Sequence, residues 1–149
     1  MKRIIVFIAL VTSTFFYAQT SSSKLKWETD FETAKKIAKK EAKPILMLFT
    51  GSDWCPPCKT LKKDFFNSSE FSAKANSFVL LLVDFPRNKE NISEAQQKAN
   101  KALNSAYGVR SLPTIIATDY NGRVIDKIKS YNSARDTRYH FEFINKLIK

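Results

Sequence analysis

The chain has 149 residues, with 25 Lys and Arg against 14 Asp and Glu, a formal net charge of +11, two cysteines and one histidine. That length suits one domain around a single apolar core and is too short for two. Two Cys and one His fall short of the four ligands of a structural zinc site, and although the charge would suit nucleic acid, no arginine-rich tract or binding motif accompanies it, so no nucleic-acid partner is expected and the charge is read as solvated helix faces, with steering of acidic partners second.

Lys2 and Arg3, the apolar run 4–11, a mixed stretch to Tyr17 and then Ala18 have the layout of a secretory signal. Cleavage after Ala18 gives a signal over 1–18, a flexible lead-in over 19–26 and one domain over 27–149. Phe16 stands where a small residue is usual before the cut, so an uncleaved membrane anchor is the alternative. The stretch is short, however, against the roughly twenty residues of a spanning helix. Without Lys2 and Arg3, 23 basic residues face 14 acidic ones, a formal +9. Export, most simply to a bacterial periplasm, implies an oxidising setting.

Asp30 caps a helix over 30–42 whose apolar stripe is Phe31, Ala34, Ile37 and Ala38, and Pro44 marks its end. The apolar run 45–50 reads as a buried strand and Gly51, Ser52 and Asp53 as the turn after it. A helix opens at Cys55 and runs to about Phe66, and Ser69 begins a short helical piece. The segment 78–85 is a strand apolar on both faces. A helix over 91–106 has Asn91 or Ser93 as its cap and Gly108 as its stop. Strands over 114–118 and 123–129 flank Asn121-Gly122, a hairpin signal. Ser133 leads a final helix to Ile148, packing Phe141, Ile144, Leu147 and Ile148. The order predicts an α/β sandwich with a central mixed sheet.

Both cysteines lie in Trp54-Cys55-Pro56-Pro57-Cys58-Lys59, where a strand gives way to a helix. A helix start offers unpaired N–H groups and the positive end of the dipole, which lower a thiol's pKa. Cys55 is the expected nucleophile, and Cys58 lies on the same helical face, placed to attack a mixed disulfide on Cys55. Covalent haem needs His after the second Cys, and Lys59 stands there. A static disulfide is the remaining alternative, but so short a loop removes little chain entropy. No metal and no organic cofactor is required.

On these motifs the chain resembles the thioredoxin-fold family. Lys43-Pro44 with its apolar strand, the Cys-Pro-Pro-Cys motif, and the segment from Tyr107 through Leu112-Pro113-Thr114 before a hairpin occur in the family's order. The stretch from Phe49 to Trp54 is similar to exported members, including the C-terminal domain of periplasmic disulfide-interchange proteins. The resemblance implies a thioredoxin-like sandwich and a cis Leu112-Pro113 bond that brings Leu112 beside Cys55, its backbone free to pair with an extended substrate. It also implies that Trp54 covers the dithiol. Two departures stand out. Strand 45–49 carries no acid where thioredoxins place the group that moves the second cysteine's proton, leaving Asp53 and Asp84 as candidates, with Lys59 as electrostatic support for the thiolate. Ser111 replaces a common glycine before the cis-proline dipeptide.

The function these features imply is an exported thiol–disulfide oxidoreductase, a monomer acting on disulfide-containing proteins in cell redox homeostasis. Neither Pro56 nor Pro57 has an N–H to stabilise a Cys55 thiolate, which favours a reductase or interchange role over an oxidase and calls for a membrane electron donor. A thioredoxin-fold peptide-binding module or chaperone without redox turnover is the alternative.

Overall fold

The computed structural model describes residues 25–148. The expected signal over 1–18 and most of the lead-in lie outside them. Five strands form one mixed sheet: β1 (Trp27–Glu28), β2 (Ile45–Thr50), β3 (Val79–Asp84), β4 (Thr114–Thr118) and β5 (Val124–Lys129), in the order β1-β3-β2-β4-β5. β3 runs parallel to both β1 and β2, whereas β4 is antiparallel to β2 and to β5. The helices are α1 (Phe31–Glu41), α2 (Pro56–Leu61), α3 (Ser69–Lys74), α4 (Glu94–Ala106) and α5 (Arg138–Asn145).

β2 is buried at every position because both sheet faces are covered. Alternate side chains of a strand point to opposite faces. Ile45, Met47 and Phe49 therefore pack with Ala34 and Ala38 of α1, and with Leu103 of α4 and Tyr107 just after it. Leu46 and Leu48 join Leu61, Phe65, Phe66 and Phe71 below, closed by Phe143 and Ile144 of α5. Phe65 meets Phe66, Phe71 and Phe141 with ring centroids 4.8–4.9 Å apart, tilted or edge to face, as aromatic quadrupoles prefer.

The mixed sheet with flanking helices is the architecture expected from the sequence. Several boundaries differ. β1 is an additional short strand, paired with Leu80 and Leu81. The helix after the motif changes character at Lys62–Phe66, which forms a π-helical turn. Ser93 is the α4 cap, its hydroxyl accepting from the Gln96 N–H, while Lys89–Asn91 is a separate 3-10 turn. The last helix begins at Arg138 rather than near Ser133 and ends at Asn145. Tyr131 and Arg135 both bind the Asp64 carboxylate, and Arg135 takes a left-handed conformation (φ 55°), so 131–136 is held as a loop against the helix that follows the motif.

The topology sets where chemistry can occur. β2 and β3 end at the same edge of the sheet, and antiparallel β4 begins there, with Phe49 paired to Thr114. The segments just past β2 and β3 and just before β4 thus converge at one end, as ligand sites do at the carboxyl ends of parallel strands.

Candidate active site

Cys55 is the N-cap of α2, in extended conformation (φ −91°, ψ 102°), and Pro56 opens the helix. Proline suits that place, because its fixed φ is helical and its missing N–H has no partner there in any case. Cys58 falls one turn on, and the two sulfurs form a disulfide across a Cα–Cα distance of 5.3 Å. Both cysteines are almost wholly buried, at 3% and 4% exposure. The Leu112-Pro113 peptide is cis, the isomer the resemblance implied.

An open groove of about 760 Å³ is lined by Trp54, Cys55, Pro56 and Phe85 together with Lys101, Val109, Arg110, Ser111 and Leu112. Of the sequence-predicted residues, this groove brings together Trp54, Cys55 and Leu112. Pro113 is buried directly behind Leu112 at the entry to β4. Trp54 is over a third exposed, and its indole Nε1 donates to the Phe85 carbonyl at 2.7 Å. The arrangement needs Gly51, since a β-carbon there would lie 2.5 Å from the indole Cε2.

Cys58 faces a different space. A cavity of about 120 Å³ is lined by Cys58, Leu48, Thr50, Ser52, Lys59, Lys62, Leu82 and Trp27, large enough for a few water molecules beside polar groups. Asp84, at 9% exposure, accepts from the Ser52 backbone N–H at 2.9 Å and from the Ser52 hydroxyl. Its own carbonyl accepts from Nδ2 of buried Asn100 at 2.7 Å. Asn100 Oδ1 in turn accepts from Gln96 Nε2 at 2.8 Å.

Asp53 is engaged elsewhere, and Lys59, although it lines the Cys58 cavity, has its ammonium bonded to a backbone carbonyl. The Asp53 carboxylate accepts from the backbone N–H groups of Asn88 at 2.9 Å and Arg87 at 3.0 Å, which hold its carboxyl below the usual carboxylate range. A carboxylate so stabilised is a weak base. The Lys59 ammonium donates to the Asp53 carbonyl at 2.6 Å. Sequence reasoning missed Ser52 and Asn100 as partners of Asp84, and Lys101 and Arg110 as groove walls. Each depends on contacts between distant segments, for which a single sequence carries no periodic or motif signal.

A buried dithiol pair at the start of a helix, a cis-proline beside it and a mixed sheet behind both define a thioredoxin-fold protein. The family model for the thioredoxin-like domain matches residues 31–145, and the chain belongs to that family. It is 32% identical over 109 residues to the disulfide bond reductase DsbH of Chlamydia pneumoniae, covering 72% of this chain and 64% of that protein. Against the thiol:disulfide interchange protein DsbD of Vibrio vulnificus it is 29% identical over 112 residues, 75% of this chain and 17% of that protein. The chain thus spans less than two thirds of the length of these curated relatives. A solved structure described as DsbH oxidoreductase aligns with a TM-score of 0.74 at 28% identity, covering 84% of this chain and 85% of that one.

Proposed function

We propose that the protein is an exported thiol–disulfide oxidoreductase that reduces or interchanges disulfides of other proteins through Cys55 and Cys58. The observation that carries this reading is the Cys55–Cys58 disulfide at the helix start, whose Cys55 lines a groove that Leu112 also lines. In the reduced protein the Cys55 thiolate attacks one sulfur of a substrate disulfide. A Cys55–substrate bond forms, the substrate S–S bond breaks, and the departing sulfur takes a proton. Cys58 then loses its proton and attacks Cys55 Sγ, releasing the second substrate thiolate. Two electrons pass to the substrate, and the protein is left with the Cys55–Cys58 disulfide.

Leu112 supplies the N–H and C=O for an extended substrate strand, and Trp54 an apolar wall. Asp84 is the better placed of the two acids for Cys58, because Ser52, to which it is bonded, lines the cavity that Cys58 faces. Water in that cavity would carry the proton. Asp53, held in its charged form, is the weaker base.

Pro56 and Pro57 leave the Cys55 thiolate without two potential donors, which favours the reducing direction. A protein working in that direction in an exported compartment needs a membrane dithiol donor to regenerate it, and the reading has it act as a monomer. The names of the DsbH and DsbD relatives support this reading. Insulin reduction tests it: the wild-type protein is expected to turn over and Cys55→Ser to be inactive. Peptide binding by the wild type without any turnover would instead indicate a binding module or chaperone.

A further inference from the structure

The groove beside Cys55 has a charge of one sign. Its lining includes two cationic side chains, Lys101 on α4 and Arg110 two residues before the cis bond, and no carboxylate. Both are exposed, and among the described residues neither takes part in an ion pair. A third cation adjoins the rim, since the Arg87 guanidinium lies 5.1 Å from the Trp54 ring centroid. Glu90 and Glu94 line a neighbouring shallow pocket with Lys101, but among the described residues neither forms an ion pair with it. Asp53 is engaged by the Arg87 and Asn88 backbone, and Asp84 is tied to Ser52 beside the separate cavity at Cys58.

A chain lying along Leu112 toward Cys55 therefore shares the groove with two cations that, among the described residues, make no ion pair. Backbone pairing is indifferent to sequence, so discrimination among substrates has to come from such side-chain contacts. We propose that the groove selects disulfides flanked by acidic side chains, with Lys101 and Arg110 as the residues that set this preference. The inference rests on the oxidoreductase reading and names its substrate class.

Exposed pairs are individually weak and are screened by salt. Each cation is expected to change the rate by about two- to fivefold, and the two together by about tenfold at low ionic strength. The overall positive charge of the protein would also attract acidic peptides, so a charge change remote from the groove is the necessary control.

The test is single-turnover reduction, by the prereduced protein, of two fluorogenic disulfide-linked peptides. One carries Glu and the other Lys on both sides of each half-cystine. The wild type is expected to reduce the Glu peptide about tenfold faster at low salt, with the ratio falling toward one at high salt. Lys101→Gln with Arg110→Gln is expected to abolish the preference, and Lys101→Glu with Arg110→Glu to reverse it. Lys39→Glu with Lys40→Glu, an equal charge change on exposed positions of α1, is expected to keep most of it. Equal rates for the two wild-type reactions would overturn the proposal while leaving the oxidoreductase reading intact. Loss of the preference in the α1 variant to the same extent as in the groove variants would also overturn it, by showing that net charge is the cause. Failure of the wild type to reduce either peptide would remove the oxidoreductase reading itself, and this inference with it.

Discussion

The Trp54 indole lies so close over Gly51 that a β-carbon on Gly51 would meet its Cε2 at 2.5 Å and its Nε1 at 2.6 Å. The indole carries the bond to the Phe85 carbonyl and forms a wall of the groove, so the missing side chain at Gly51 shapes the dithiol's surroundings. Gly51→Ala is expected to push the ring out, break that bond and slow disulfide reduction about tenfold, in line with misplacement of substrate-positioning groups. Tryptophan fluorescence, compared with that of a Trp27→Phe background to isolate Trp54, should shift to the red. An unchanged spectrum and rate would contradict the role given to this contact.

Asp84 offers a sharper kinetic prediction. If it accepts the Cys58 proton through the cavity, Asp84→Asn should slow the second step, release of substrate from Cys55, by at least about a hundredfold, as expected for loss of a general base. The first attack should keep its rate. Stopped-flow measurement of mixed-disulfide formation and decay separates the two steps. Equal slowing of both would point to a structural effect, because the Ser52 bonds would then be what matters.

What the sequence made legible was local. β2 and its turn, the two cysteines and the segment around Leu112-Pro113 carry their signals within a few residues, and they occupy the positions expected. Trp27–Glu28 did not read as a strand, because two residues become one only by pairing with Leu80 and Leu81. The start of α5 was misplaced because Tyr131 and Arg135 bind an aspartate 67 and 71 residues away. Asn100, the buried residue of α4, carries no signal of its own in the sequence. Its partner is the Asp84 backbone carbonyl, which no side-chain pattern marks.

Ala42 closes α1 in the left-handed conformation, φ 53° and ψ 39°, which disfavours any residue with a β-carbon. Ala42→Gly relieves that cost but adds backbone freedom to the unfolded chain. A net gain of about 0.5–1 kcal/mol is expected. Thermal unfolding should then move up by about 3 °C. A lower midpoint would show that the cap is not strained.

His140 links stability to pH. It is buried against Phe65 and Tyr131, its Nδ1 has no hydrogen-bond partner, and burial pushes its imidazole below the ordinary value of 6.5, with Asp136 acting weakly the other way. The unfolded chain binds the proton more readily, so stability is full above pH 6.5 and declines as the pH falls below it, until the folded histidine also protonates. His140→Phe is expected to flatten the stability profile just below about pH 6.5 in urea titrations. A wild-type profile already flat there would contradict the burial argument.

The division of labour between the two cysteines is tested most directly by trapping. Cys58→Ala, reduced and mixed with a disulfide-containing protein, should accumulate a mixed disulfide that peptide mass mapping places on Cys55, and Cys55→Ala should accumulate little, since Cys58 is buried against the cavity rather than the groove. Equal trapping by both variants, or capture on Cys58 alone, would contradict the assignment of Cys55 as nucleophile and Cys58 as resolving thiol.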